Sequence, residues 1–390
     1  VTPALPYREV LGSVGGLRRG FTTGTAAAAA CAAAARMLAE DRPLDAVEVE
    51  LPGKGPFGGR RILIPVETAR REGEGWTAGV RKDAGDDDDA THGLLILCRA
   101  SYRDDGGDGE VSIQAGEGIG VVTRPGLPVG PGEPAINPVP RRMILAAAAP
   151  WTRPGRSLLL QISAPQGVLL ARETWNPRLG IRGGVSLIGT SGVVEPKSAA
   201  AFKASIALCL RQAAAVGRTS LILTLGHVGE GFLDSLGVNP EARVVTGDHL
   251  GFALERCASA GFSRIILAGH VGKLAKVAAG IFDTHWKSGD ARLETLAACA
   301  AACGARRETV RRILDLSTAE AAEEIILGEG LGETYDFLAA RAAARMQEAA
   351  GAPGRDAVPE TGCAVLSLTG RLLGAHPETL KGEDAWRSFR

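Results

Sequence analysis

Excess charge of either sign is missing from this chain: its 390 residues carry 44 Lys and Arg against 44 Asp and Glu. Without a basic surplus or a basic tail there is little to grip a phosphate backbone, which argues against nucleic-acid binding. Long hydrophobic runs are missing too. Nothing approaches the roughly eighteen consecutive apolar residues at which a membrane span becomes readable. No basic-then-apolar leader opens the sequence, so neither a membrane nor secretion is expected. The seven cysteines are odd in number and show no CxxC spacing, which points to reduced thiols in a cytoplasmic protein. Cys299 and Cys303 share one helical face, where burial is the ordinary outcome. Lysine is scarce as well, at eight residues, so arginine supplies most of the positive charge.

The length allows two domains, each with its own core. The most unusual stretch is Gly116–Met143, GEGIGVVTRPGLPVGPGEPAINPVPRRM. Glycine and proline here are turn residues, because one permits positive φ and the other fixes φ near −65°. A flexible linker would drift toward Ser, Glu, Gln and Lys. This stretch instead keeps Ile119, Val121, Val122, Leu127, Ile136 and Val139 between its turns, which predicts an ordered loop held against a core.

Upstream, Gly20-Phe21-Thr22-Thr23-Gly24-Thr25 runs into an alanine-dominated helix over about Ala26–Glu40. A threonine can cap that helix, and its exposed N–H groups can hold an anion or ligand, so Thr23 and Gly24 are candidate contacts. Alternation predicts strands at Ala46–Leu51, Arg61–Val66, Trp76–Lys82, Gly93–Ala100 and Glu110–Gln114. Between the third and fourth of these lies Lys82–Gly93 with four consecutive aspartates. That run reads as a solvated turn; it lacks the alternating ligand pattern of a calcium loop, so no metal is assigned. Asp83 and His92, which flank it, are the members expected to face inward. Further on, Pro140–Ala149 reads as a helix, Ser157–Ser163 with Val168–Arg172 as a hairpin, and Thr174–Gly192 as a Gly/Ser/Thr-rich segment able to form backbone nests.

The rhythm changes after a helix at Ser198–Ala215. Thr219–Leu225, Ala242–Thr246, Arg264–Ala268 and Cys363–Leu368 are apolar runs; the first three alternate with helices, as in a parallel sheet. Helices are expected near Arg292–Cys303, Glu308–Leu314, Thr318–Leu327 and Thr334–Glu348, and a loop at Gly351–Pro359. Two strands end alike, in Gly226-His227-Val228-Gly229 and Gly269-His270-Val271-Gly272. Ligands of open α/β sheets sit at the carboxyl ends of strands, so both loops are natural floor pieces of a pocket.

Taken in order, Gly20–Thr25 with its Ala helix, Lys82–Gly93, Gly116–Met143, Thr174–Gly192 and Gly269–Asp290 resemble the cobalt-precorrin-5B C1-methyltransferase (CbiD) family of anaerobic cobalamin biosynthesis. Within the last segment, Gly272-Lys273-Leu274 and Thr284-His285 correspond to recurring family features. The resemblance is collinear over most of residues 18–292. It departs locally at Ala26, where members often carry Cys, and at Asp88, where Pro is common. The first departure argues that no cysteine at that place is an obligatory catalyst.

The resemblance implies transfer of a methyl group from S-adenosylmethionine, a co-substrate, to C1 of cobalt-precorrin-5B to give cobalt-precorrin-6A, with cobalt present only as part of the substrate. It also implies two domains, an N-terminal two-layer α+β domain over 1–195 and a C-terminal Rossmann-like α/β domain over 196–390. Methyl transfer depends on alignment and needs no activated Ser or Cys. Arginine forks suit the carboxylates of a corrinoid, so Arg124, Arg141, Arg142, Arg178 and Arg182 are expected substrate anchors, joined by Lys273. The cationic donor calls for carboxylates and close backbone, which nominates Asp86 with Gly226, Gly229, Gly269 and Gly272. Asp83, His92 and His270 are the catalytic candidates. A noncatalytic tetrapyrrole carrier of the same pathway is the competing reading. The partner expected is a small corrinoid, and a homo-oligomer is compatible with the sequence. A hydrolase built on Thr22–Thr25 would need a base and an oxyanion hole that the sequence does not place nearby. The spacing of Gly116, Gly118 and Gly120 imitates a nucleotide loop, but no helix pattern follows it.

Overall fold

The computed structural model describes residues 4–53, 55–104, 109–351 and 358–390. The expected loop at Gly351–Pro359 therefore lies largely outside the described residues. The chain divides into two compact units, Val1–Ala199 and Ala200–Arg390, each described by itself.

In the first unit the alanine run folds as helix α1, Thr23–Glu40. Residues Ala26–Ala35 are essentially without solvent contact. A helix apolar on every side must be buried on every side, and alanine lets the neighbouring backbones come close. Its neighbours include the strand Ala46–Glu50, helix α2 (Pro138–Ala148) and a five-stranded sheet. In chain order the sheet strands are β1 (Thr68–Glu72), β2 (Gly75–Arg81), β3 (Leu95–Arg103), β4 (Val111–Ala115) and β5 (Ser157–Ser163). Their spatial order is β4-β5-β3-β2-β1, antiparallel except for the parallel pair β4–β5. Strand Ala46–Glu50 belongs to a separate three-stranded sheet with Arg61–Pro65 and Leu5–Pro6.

Two expectations fail here for one physical reason each. The hairpin of Ser157–Ser163 with Val168–Arg172 does not form: Gly167–Leu170 is a helical turn that continues as a 3-10 turn over Ala171–Glu173. Both edges of β5 are already taken, by β3 and β4, and a short apolar run has no intrinsic preference strong enough to resist that. Strand β1 went unread because Thr-Ala-Arg-Arg-Glu is polar on both faces, as an edge strand with solvent on either side can be.

The loop Gly116–Met143 is ordered against the core by backbone bonds. Val121–Val122 pairs antiparallel with Ile181–Arg182, and single bridges join Ile119 to Val185 and Ile136 to Leu187. Ile119, Val122 and Ile136 are buried.

The second unit is built on a sheet of β6 (Ser220–Thr224), β7 (Arg243–Val245), β8 (Arg264–His270), β9 (Glu360–Leu366) and β10 (Leu372–His376). The spatial order is β7-β6-β8-β9-β10, parallel except for β10. Helix α3 (His227–Ser235) follows β6, α4 (Leu250–Ser259) follows β7, and α5 (Val271–Ala278) follows β8. From β6 the chain winds outward to β7, then crosses back to place β8 on the other side of β6. The winding therefore reverses between β6 and β8, and the loops after these two strands face one another at their carboxyl ends. The four parallel strands are fully apolar in their centres, as strands covered on both faces must be.

Candidate active site

In the first unit, the mouth of α1 is closed by protein. Thr22 caps the helix by accepting from Thr25 N–H (3.2 Å), while Thr22 and Gly24 donate their own N–H groups to Gly192 and Ile188 carbonyls, both at 3.0 Å. Thr23 Oγ1 donates to Ser186 O and accepts from Ile188 N–H, each at 3.0 Å. A β-carbon on Gly24 would lie 2.5 Å from Pro140 Cγ. The donors of Thr23 and Gly24, expected as ligand contacts, are engaged in fastening α1 to the segment 186–192.

The acidic run is not a free turn. Its members staple different segments: Asp86 takes Arg18, Asp87 accepts from Lys197 N–H, and Asp89 pairs with the buried Lys82. Glycine makes the close approach feasible, since a β-carbon on Gly20 would fall 2.2 Å from Asp83 O.

Asp83 faces a cavity of ≈ 330 Å³ lined by Tyr7, Arg8, Arg18, Arg81 and His92 among others. Tyr7 donates its hydroxyl to Asp83 Oδ2 at 2.6 Å, Gly85 N–H donates to Oδ1 at 2.8 Å, and Arg8 and Arg18 lie 3.3 and 3.8 Å from Oδ2. Burial raises the Asp83 pKa, but these bonds and the two guanidinium charges outweigh it, and the carboxyl rests below its ordinary value. An anion so held is a poor proton acceptor. His92 departs from the expectation that it faces inward: its side chain is half exposed, with Nδ1 accepting Ala84 N–H at 3.1 Å and lying 3.9 Å from Asp83 Oδ1. Asp83 is turned inward as expected, its side chain 14% exposed, and Asp89 joins it at 26%. Asp86, nominated for a cationic donor, and Asp83, a catalytic candidate, are matched to arginine already.

The arginines separate into two kinds. Arg124 donates to Arg178 O at 2.7 Å, and the Arg178 guanidinium lies 5.8 Å from the Trp175 ring centre, so both are folded onto their own loop. Arg141, Arg142 and Arg182 are exposed. The first two stand near the start of α2, where the helix dipole disfavours a cation by ~0.3–1 kcal/mol; an incoming anion would relieve that.

In the second unit, six expected residues sit where the winding reverses. Gly226 has φ +143° and open space around a would-be β-carbon, so a ligand can reach its backbone. The other glycines are used for packing: β-carbons on Gly229, Gly269 and Gly272 would meet Ala268 O at 2.6 Å, Leu225 at 3.2 Å and His270 Nδ1 at 3.3 Å. His270 caps α5, its Nδ1 accepting Gly272 N–H at 3.3 Å, while Nε2 lies 3.1 Å from Glu320 Oε1. The neutral ring therefore carries its proton on Nε2. Burial holds its pKa below the usual imidazole value, against the opposing charges of Glu320 and Glu323. Lys273 Nζ donates to Leu225 O and to Asp248 Oδ1, both at 3.0 Å, and Thr284 Oγ1 donates to the same Oδ1 at 2.8 Å. Asp248 escaped the sequence reading, as did Tyr7 and Arg18; nothing in their local sequence marks them, because the partners lie far along the chain.

Open α/β sheets offer ligands the crevice at the winding reversal, which here is lined by Gly226, Lys273 and Asp248. The chain belongs to the CbiD family: residues 12–196 match the CbiD sequence profile and residues 283–377 that of the CbiD C-terminal domain. It is 45% identical to the cobalt-precorrin-5B C(1)-methyltransferase of Moorella thermoacetica, over 92% of this chain and 94% of the relative. The protein of the same name from a Thermoanaerobacter species is 44% identical over 83% of this chain and 87% of its own. Among solved structures, the cobalamin biosynthesis protein (cbiD) of Archaeoglobus fulgidus is 28% identical, covering 69% of this chain and 82% of that one with a TM-score of 0.37.

Proposed function

We propose that this chain methylates C1 of cobalt-precorrin-5B with S-adenosylmethionine as donor, giving cobalt-precorrin-6A in the cytoplasm. The observation that carries the reading is the 45% identity to a relative of that name over 92% of the chain. In the reaction an electron pair on C1 forms the new carbon–carbon bond to the sulfonium methyl as the carbon–sulfur bond breaks, and S-adenosylhomocysteine leaves with that bond's electrons. Alignment of the partners supplies much of the rate, since it removes an entropic barrier. Neither the closed mouth of α1 nor the arginine-held Asp83 offers an activated nucleophile, and the reaction needs none.

The second unit, from about residue 196, is read as a Rossmann-like domain that takes the donor over Gly226 and beside Lys273 and His270. The first unit, residues 1–195, is read as an α+β domain that takes corrinoid carboxylates on Arg141, Arg142 and Arg182. Lys273, bonded to Asp248 and Leu225 O, belongs with the donor rather than with the substrate. Anaerobic incubation with both ligands tests the reading through the mass of the corrinoid. A gain of one methyl supports it; binding without a mass gain would favour the carrier.

A further inference from the structure

Asp248 stands just past β7, the second strand of the parallel sheet, roughly twenty residues beyond the glycine that follows the first strand. In a nucleotide-binding βαβ unit that interval separates the glycine turn from the acid that holds a ribose. Several bonds fix the carboxylate. Lys273 Nζ and Thr284 Oγ1 both donate to Oδ1, at 3.0 and 2.8 Å, and Thr284 N–H donates to Asp248 O at 3.1 Å. Lys273 Nζ also reaches Leu225 O at 3.0 Å, which ties the carboxylate to the end of β6, beside Gly226. Both side-chain bonds fall on one oxygen. Among the described residues nothing donates to Oδ2, and the side chain is 31% exposed. The staple accounts for Oδ1 and leaves Oδ2 as an acceptor for a ligand.

We propose that Asp248 Oδ2 accepts a hydrogen bond from a vicinal hydroxyl of the donor's ribose, with Oδ1 held by Lys273 and Thr284 so that Oδ2 faces the ligand. The assignment rests on the donor reading given above. It names a neutral diol as the partner of this carboxylate, leaving the sulfonium end of the donor for other groups. Asp248 is a charged acceptor at neutral pH. Burial raises its pKa, but the bonds from Lys273 and Thr284 and the Lys273 charge more than offset this and hold the carboxyl below its ordinary value.

Titration calorimetry on the full chain tests the assignment with S-adenosylhomocysteine and its 2′-deoxy and 3′-deoxy analogues. A hydrogen bond to a charged acceptor corresponds to roughly a tenfold or greater preference for the ribose ligand over one of the analogues. Asp248→Asn keeps an oxygen for Lys273 and Thr284 but loses the ion pair, so the melting temperature falls modestly while most of the preference disappears. Thr284→Val removes a bond to Oδ1 alone; it lowers the melting temperature and keeps the preference. An equal preference in wild type and Asp248→Asn overturns the assignment, as does loss of the preference in both variants alike, or its absence from the wild type. Wild type that binds none of the three ligands removes the donor reading itself, and the assignment falls with it.

Discussion

The carbonyl oxygen of Gly118 lies 2.1 Å from where a β-carbon would stand on Gly184. It accepts Val185 N–H at 2.9 Å, so the two backbones are in bonded contact with no room for a side chain. Gly167 meets the same oxygen, again at 2.1 Å from its would-be β-carbon. Gly120 makes the same approach, its would-be β-carbon 2.4 Å from Ile181 Cγ2, whereas Gly116 and Gly118 close on Ser163 and Ala164.

Gly184→Ala must therefore displace backbone, and overpacking of that kind costs about 3 kcal/mol, the upper end of the usual range. Gly130 belongs to the same loop, has open space around it and no positive φ. Gly130→Ala should be neutral in chemical denaturation, and equal losses in the two variants would contradict the account.

Thr23→Val removes the donor to Ser186 O and the acceptor for Ile188 N–H in a buried site. Leaving such groups unsatisfied costs ~1–3 kcal/mol. Its denaturation midpoint should fall while the affinity of the folded protein for S-adenosylhomocysteine holds. A specific loss of that affinity at unchanged stability would return Thr23 to the ligand.

Arg182 and Arg124 should separate in the same way. Arg182→Ala removes an exposed fork and is expected to raise the corrinoid KM several-fold at unchanged kcat and melting temperature. Arg124→Ala breaks the bond to Arg178 O and should lower the melting temperature first. Indistinguishable effects would contradict the division of the arginines into anchors and loop supports.

His270 carries a pH prediction. Its folded pKa lies below the ordinary value because of burial, so the unfolded chain binds the proton more readily. Stability from this group is complete above about pH 6.5 and is lost as pH falls from there through the folded pKa. His270→Asn retains a capping side chain without the titration. Its urea midpoint should fall less than that of the wild type between about pH 7 and pH 5, and parallel curves would refute the assignment.

The elements were legible where one physical pattern dominated. Alternation at Ala46–Leu51 and Arg61–Val66, and the apolar runs of the second unit, are faces that solvent or packing imposes on strands whatever their neighbours. The Ala helix was legible for the same reason. What failed was long-range. Val168–Arg172 lost its partner because β3 and β4 had claimed both edges of β5. Thr23, Gly24, Asp86 and Gly229 looked like ligand contacts because glycine, threonine and aspartate also serve close packing and stapling, and only the fold decides which. Asp248 was silent for the converse reason: its meaning lies in Lys273 and Thr284, which the sequence separates from it.

Incubation of the protein with cobalt-precorrin-5B and S-adenosylmethionine labelled with carbon-13 in its methyl group, followed by NMR of the corrinoid, tests the central claim most directly. The account predicts one new labelled methyl, attached at C1 of the ring, with S-adenosylhomocysteine formed in equal amount. A corrinoid that binds and returns unlabelled, or a label at another ring carbon, would contradict it.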